Sequence, residues 1–162
     1  MSGAVKYRVL RKKGSGGWSS IGLTTDNSYI DKTAVNGAAY SYTVCAVTAG
    51  GAKASEYNNT GLTTVFLTRP VFSSVENAAA GKMTVSWQKN TGCTGYQIQY
   101  TSNSKFASFK TINVSSKDTV SNEITGLVKG RTYYVRMRTY KKVGTKTYYT
   151  GWSKVRKLKI VN

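Results

Sequence analysis

Histidine is absent from this chain of 162 residues, and cysteine, proline and acidic residues are scarce. Without histidine the protein lacks the commonest general base and the commonest metal ligand. The 2 cysteines, Cys45 and Cys93, form no CxxC unit, and two thiols with few carboxylates cannot complete a four-ligand zinc site. A disulfide between them would require close Cα atoms, for which the sequence gives no sign. Zinc enzymes and histidine-dependent hydrolases are therefore excluded.

Long apolar segments are missing as well. No run approaches the roughly 18 apolar residues that span a membrane. The first residues show no charged leader followed by an apolar stretch, so no signal peptide is predicted. With 40% hydrophobic and 12% aromatic residues, the sequence is nevertheless too apolar for a disordered basic tail. Its length allows one or two domains with a real core.

Acidic residues are few, and their placement does not suggest catalysis. The 6 carboxylates form no close sequence pair, whereas glycoside hydrolysis needs two that converge on a sugar. Asp26, Asp31 and Asp118 occur among turn-forming residues, where an aspartate side chain stabilises the turn itself. Ser153 and Lys154 are adjacent, so on a strand their side chains would point to opposite faces. We predict that the protein is not an enzyme and needs no metal or cofactor.

Short segments that alternate apolar and polar residues predict an all-β fold. Residues 5–9 alternate in this way, which is typical of a half-buried strand. Further segments of this kind are residues 40–47, 83–87, 96–100 and 133–137. Clusters of Gly, Ser, Asn and Asp separate them, and no convincing amphipathic helix is present. Many short strands with turn signals between them are typical of a β-sandwich.

An internal repeat divides the chain into two units. Residues 3–9 align with residues 92–98 at an offset of 89, and residues 37–44 align with residues 130–137 at an offset of 93. A repeat of about 90 residues is the size of one small sandwich rather than of a solenoid unit. The single proline, Pro70, marks the boundary, since a sheet tolerates proline at the start or edge of a strand. We predict domains over residues 1–68 and 69–162.

Several residues of the second unit carry a family resemblance. Trp87 lies in its second predicted strand and Tyr96 in its third, and Leu127, Gly130 and Tyr133 follow a Leu-x-x-Gly-x-x-Tyr spacing. In these features the unit resembles a fibronectin type III domain over almost its whole length. Its Lys- and Tyr-rich composition is similar to modules in surface or secreted proteins of Gram-positive bacteria. The resemblance implies two immunoglobulin-like sandwiches in tandem, at the cell surface or outside the cell, within a longer secreted protein.

The first unit departs from this pattern because its alignment begins at the third strand. It is predicted to lack its first two strands, which would leave one face of its sheet partly uncovered. An uncovered apolar face marks either an artificial start of the chain or an interaction site. The artificial start is the favoured interpretation, and the alternative is a protein interface there, formed by strand completion or self-association. Its residues are Tyr7, Val9 and Tyr42.

Positive charge is concentrated in the second unit. Residues 1–68 carry 7 basic and 3 acidic side chains (+4), whereas residues 69–162 carry 17 and 3 (+14). No acid follows Glu123, and such a field attracts polyanions. We predict that a basic face of this unit binds an anionic wall polymer or acidic glycan, with a tyrosine stacking on sugar. The predicted residues are Lys141, Lys142, Lys146, Tyr148, Lys154, Lys157 and Lys159.

The basic and aromatic residues of this unit also fit roles that need no ligand. A lysine-rich edge blocks association between sheets and keeps a module soluble. Arg136 and Arg138 are predicted to stack on Trp152 in a structural cation–π arrangement, which resembles the Trp-Ser motif of related receptor modules. Nucleic acid is the least favoured polyanion, because no helix is present to enter a groove. The sequence therefore predicts a non-catalytic spacer or adhesive binding module, with protein–protein recognition through the first unit as the alternative.

Overall fold

The computed structural model describes residues 5–161 of the chain. They form twelve β-strands and no helix, which confirms the predicted all-β fold class. Accordingly, none of these residues belongs to a helix long and apolar enough to cross a membrane. The chain divides into two compact units, the first ending at Phe66 and the second beginning at Leu67.

The first unit has one antiparallel sheet in the part that the structure describes. Its strands are β1 (Lys6–Lys13), β2 (Ser19–Thr24), β3 (Ala39–Val47) and β4 (Leu62–Val65). They lie in the order β2-β1-β3-β4. The two long central strands pair along the whole of β1, with Val9 opposite Val44 and Arg11 opposite Tyr42.

The two faces of this sheet are covered to different extents. On one face Leu10, Cys45 and Val47 form a small buried cluster, against which Trp18 and Tyr57 pack. Since side chains alternate between the faces of a sheet, residues 7, 9 and 44 lie on the opposite face. That face is the one predicted from the repeat to be partly uncovered.

The second unit has two antiparallel sheets. Its strands are β5 (Phe72–Asn77), β6 (Met83–Trp87), β7 (Gly95–Thr101), β8 (Lys110–Val114), β9 (Ser121–Ile124), β10 (Thr132–Val143), β11 (Lys146–Tyr149) and β12 (Arg156–Lys159). One sheet has the order β5-β6-β9, and the other has β8-β7-β10-β11 with β12 also paired to β10. β10 is long enough for β11 to pair with one end of it and β12 with the other.

The hydrophobic core of the second unit contains side chains from both of its sheets. Met83 and Val85 from β6 are fully buried, as are Ile98 from β7 and Met137 from β10. The ring of Trp87 lies 5.2 Å from the ring of Tyr96. The alternation of apolar residues that predicted these strands is therefore the alternation that fills the core.

The repeat explains what the first unit lacks. β1 and β3 correspond to β7 and β10, and the order β2-β1-β3-β4 parallels β8-β7-β10-β11. Residues 5–66 contain no strand equivalent to β5 or β6, as the sequence predicts. They also contain no strand equivalent to β9, because residues 25–38 form only turns and irregular backbone. The sequence did not predict this third absence.

Candidate functional site

The five-stranded sheet of the second unit carries basic side chains and no acidic one. Strands β7, β8, β10, β11 and β12 together contain nine Lys or Arg residues and no Asp or Glu. The acids of this unit lie elsewhere: Glu76 in β5, Glu123 in β9 and Asp118 between β8 and β9. The charge of this acid-free sheet is therefore not compensated from within the sheet.

The predicted basic residues lie on β10 and on the strands and segment beside it, but not on one face. Lys157 lies opposite Tyr134, and Lys159 opposite Thr132, so these lysines point to the outer face, the one away from the core. Lys142 is an even number of residues from Tyr134 along β10, so its side chain points to that outer face as well.

The remaining predicted residues are on β10, on β11 and in the segment that follows β11. Lys141 faces the same side as its β11 partner Tyr148, and Lys146 pairs with Val143, which places all three on the opposite face. Lys154 belongs to the segment between β11 and β12. The prediction of a single basic face was wrong in this respect, because consecutive residues of one strand, such as Lys141 and Lys142, point to opposite faces.

Trp152 lies between two arginines on the outer face. Its ring centroid is 4.5 Å from Cζ of Arg136 and 4.4 Å from Cζ of Arg138. The stack continues on both sides, with Phe106 4.1 Å from Arg136 and Tyr149 4.0 Å from Arg138. Alternating guanidinium groups and aromatic rings of this kind attract one another through the ring quadrupole.

Hydrogen bonds fix both arginines in this stack. Arg136 donates from Nε and Nη2 to Oε1 of Gln99, at 3.1 and 2.8 Å, and Arg138 donates from Nε to Oε1 of Gln97 at 2.9 Å. Partial burial, with the nearby charge of Arg138, lowers the pKa of Arg136, although a guanidinium in a protein keeps its proton. Held in this way, the two arginines are part of the structure of the sheet.

A break in the last strand directs Trp152 outward. Between β11 and β12, Ser153 donates its backbone N–H to the carbonyl of Met137 at 2.8 Å, and its hydroxyl accepts from the Met137 N–H at 3.1 Å. Thr150 makes the same pair of contacts with Thr139. The hydroxyls replace strand ladder bonds, so residues 150–153 can leave the strand path without leaving β10 unpaired.

A cavity of about 440 Å³ lies beside this break. It is lined by the segment that leads into β5 and by the segment between β11 and β12, and Arg69, Lys154 and Arg156 bring positive charge to it. Arg69 and Arg156 were not among the predicted residues, because positions 87 residues apart have no local pattern in common.

The predicted interface of the first unit is smaller than expected. Tyr7 is 46% exposed and Val44 54%, but Val9 is only 5% exposed, and the Tyr42 hydroxyl donates to Oδ2 of Asp31 at 2.7 Å. A cavity of about 300 Å³ remains over Tyr7, Val9, Val44 and the ring of Tyr29. The open part of the face is therefore centred on Tyr7 and Val44 rather than on Tyr42.

Asp31 covers the other end of this face. Its Oδ2 also accepts from Nη1 of Arg11 at 2.7 Å, and its Oδ1 accepts from the backbone and hydroxyl of Thr33. Burial acts to raise the pKa of the Asp31 carboxyl, but these hydrogen bonds outweigh it and hold the pKa far below the ordinary value. Burial and the bond to Asp31 raise the pKa of Tyr42 to about 12, so the phenol remains a donor at neutral pH.

We expect Asp31→Asn to destabilise the first unit by about 2 kcal/mol at pH 7, because hydrogen bonds to a charged acceptor are worth roughly 1.5–3 kcal/mol each. A carboxyl with a lowered folded pKa contributes stability above its unfolded pKa of about 3.9 and loses it as pH falls further. The difference between wild type and variant should thus shrink below about pH 4. Urea unfolding at pH 7 and at about pH 3 measures it, and an equal difference at both pH values would contradict this assignment.

Groups that could perform redox or metal chemistry are few in the described part of the chain. Cys45 and Cys93 are both free and buried, and burial raises the pKa of the Cys93 thiol. No group of three or more potential metal-binding side chains occurs within residues 5–161.

Comparison with known proteins agrees with this geometry. The sequence profile of the fibronectin type III domain matches residues 69–155, which is more than half of the chain. A crystal structure of chicken CNTN1 FN1–FN3 domains is similar at a TM-score of 0.50 and 20% identity, covering 97% of this chain. This chain spans about half (54%) of the length of that one. No curated protein matches the sequence.

A computationally redesigned β-sandwich protein is also similar, with a TM-score of 0.49, 16% identity, and 59% of this chain and 92% of that one covered. Fibronectin type III domains are typically non-catalytic binding or spacer modules and are commonly extracellular. The profile match and the all-β fold together place this chain in the fibronectin type III family.

Proposed function

We propose that this chain is a non-catalytic module of a Gram-positive bacterial surface protein, and that its second unit holds an anionic wall polymer or acidic glycan. The observation that carries the proposal is the acid-free sheet, with nine basic side chains on five strands. Clustered charge of one sign raises the local concentration of a polyanion and speeds its association.

No acid of the second unit forms an ion pair with a basic residue of this sheet among the described residues, although Glu76 lines a cavity with Arg156 and Lys157. Glu123 pairs with Lys82 at 3.0 Å, and Asp118 pairs with Lys117 at 3.0 Å and with Lys89. All of these lysines lie outside the acid-free sheet. The ion pairs therefore leave the charge of the sheet available to a ligand.

The charged groups of the outer face are of two kinds, arginines that neighbouring side chains hold and lysines that are exposed to solvent. Arg136 and Arg138 are held by glutamines and aromatic rings, whereas Lys142, Lys157 and Lys159 are exposed on the same outer face. A lysine ammonium is a compact charge on a flexible stem, which suits the irregular spacing of charge along a polymer. The three lysines are the contacts that the proposal assigns to the polymer.

Replacing Lys142, Lys157 and Lys159 with Gln should weaken retention on an immobilised acidic glycan and lower its salt dependence. In polyanion binding each neutralised contact adds somewhat less than one unit to the slope of log affinity against log salt, so the slope should fall by about two units. A matched triple in the first unit, Lys6, Lys13 and Lys32 to Gln, removes the same charge and should change little. Affinity chromatography from about 50 to 300 mM salt measures both.

Equal weakening by the two triples would contradict the proposal and make the charge a solubility device. A single-stranded oligonucleotide that competes as well as the glycan at physiological salt would instead identify nucleic acid as the ligand.

The open face of the first unit supports a second candidate function, self-association. Tyr7 is 46% exposed while its repeat equivalent Tyr96 is fully buried, and Val44 is 54% exposed while its equivalent Met137 is fully buried. In the second unit the corresponding face is covered by a sheet with large apolar side chains. We propose that two copies of the chain associate reversibly through Tyr7 and Val44 at high protein concentration. Light scattering should then show a mass that rises with concentration for wild type and not for Val44→Asp.

A further inference from the structure

The cavity beside Trp152 has the size and lining of a ligand site. Its volume of about 440 Å³ lies within the range of roughly 300–1,000 Å³ found for small-molecule sites. Pro70 and Phe72, both buried, and the edge of Trp152 supply apolar surface. An apolar floor of this kind suits the body of a ligand rather than a bare inorganic ion.

Three cations surround this floor without a protein counter-ion. Arg69, Lys154 and Arg156 all line the cavity, and within residues 5–161 none of them takes part in an ion pair. Glu76 lies in the neighbouring cavity, which also includes Arg156, but it forms no ion pair with any described residue there. Positive charge that no carboxylate neutralises is complementary to an anionic group on a ligand.

The Arg69 guanidinium lies directly over Gly151. A Cβ atom built on Gly151 would lie 2.9 Å from Nη2 and 3.1 Å from Cζ of Arg69, so the guanidinium rests directly on the glycine backbone. The Arg69 side chain makes no hydrogen bond to another described residue. The donors of its planar fork therefore remain available, and that fork matches a carboxylate in two-point geometry.

Extending the function proposed above, we propose that this cavity binds one hexuronate residue of an acidic glycan. The carboxylate pairs with Arg69, and Arg156 and Lys154 supply the surrounding positive field. The C–H face of the pyranose ring covers Pro70 and the edge of Trp152. A flexible phosphodiester chain has no comparable apolar face, so it would leave the floor of the cavity exposed to water.

The decisive variant changes the position of a charge and not its amount. Gly151→Ala places a methyl group where the Arg69 guanidinium rests. Since Gly151 does not have a positive φ and the displaced group is the end of a flexible side chain, the fold should be retained. Calorimetric titration with a galacturonate hexamer at about 150 mM salt should show affinity reduced about tenfold. Arg69→Ala should have at least the same effect, and it decides the matter if Gly151→Ala unfolds.

Three controls distinguish binding in this cavity from non-specific electrostatic attraction to the basic unit. Lys105→Gln removes one charge from a loop outside the cavity and should leave hexamer affinity within about twofold. A neutral hexose hexamer and a short polyphosphate should both bind more weakly than the galacturonate hexamer. Unchanged hexamer binding by both Gly151→Ala and Arg69→Ala would overturn the cavity site, as would polyphosphate binding that equals the galacturonate.

The two proposals fail in different ways. If the cavity site is wrong but the acid-free sheet binds polymer, glycan retention still falls with the triple lysine variant while Gly151→Ala has no effect. If the sheet does not bind polymer, the lysine triple and its first-unit control behave alike, whatever the hexamer titration shows.

Discussion

Replacing Met137 with aspartate should unfold the second unit, whereas the same change at the repeat-equivalent position, Val44→Asp, should leave the first unit folded. Met137 is fully buried between the two sheets, but Val44 is 54% exposed on a face that no second sheet covers within the described chain. The two positions lie 93 residues apart in the aligned repeat. The two variants therefore place the same residue at equivalent positions of two similar sheets, one covered by a second sheet and one open.

The expected effects differ by several kcal/mol. A carboxyl group buried without a partner loses its hydration, and a loss above about 4 kcal/mol is enough to unfold many domains of marginal stability. At Val44 the carboxylate stays in water, so only the lower strand preference of aspartate remains, about 1 kcal/mol or less. Met137→Leu, which conserves volume, should cost less than about 1.5 kcal/mol.

Hydrogen exchange measured peptide by peptide on the whole chain gives both results in one experiment. Met137→Asp should abolish protection in β6, β7 and β10 and leave β1 and β3 protected. Val44→Asp should leave protection in both units close to wild type. Loss of protection in β1 and β3 caused by Val44→Asp would mean that Val44 is covered, and a concentration-dependent mass in light scattering would identify the cover as a second copy.

The sequence was sufficient to predict the strands because a strand that buries one face must alternate apolar and polar residues. The segments predicted at residues 83–87, 96–100 and 133–137 lie within β6, β7 and β10, where apolar side chains alternate into one core. The repeat likewise predicted the absence of equivalents of β5 and β6 from the first unit, but not the absence of an equivalent of β9. These features are local or recur in the sequence, so no knowledge of tertiary contacts was needed.

The faces of the lysines follow from alternation once the strands are placed, because Lys141 and Lys142 are adjacent on β10 and so point to opposite sides. The break at Thr150 and Ser153 could not be predicted in the same way. Their hydroxyls replace ladder bonds and the pairing with β10 shifts by two residues between β11 and β12, which leaves the faces unchanged. The contact between Arg69 and Gly151 joins residues 82 positions apart, and no periodicity in the sequence indicates such a contact.

The stack around Trp152 is the second place where one substitution should have a large effect. Trp152→Ala removes two cation–π contacts, each worth roughly 0.5–2 kcal/mol, together with the burial of the indole. It also leaves Arg136 and Arg138, two residues apart on one face, without a ring between their charges. We expect the free energy of unfolding of the second unit to fall by about 3 kcal/mol. Trp152→Phe keeps a ring in place and should lose roughly half as much.

A double-mutant cycle with Arg138→Gln determines how much of this loss comes from the stack. If the ring and the guanidinium stabilise each other, the double variant should lose about 1 kcal/mol less than the sum of the single variants. Added salt should stabilise Trp152→Ala more than wild type, because it screens a repulsion that the indole no longer separates. Urea unfolding of the whole chain at low and high salt measures both quantities. A coupling near zero would mean that the stability contributed by the two arginines does not depend on Trp152.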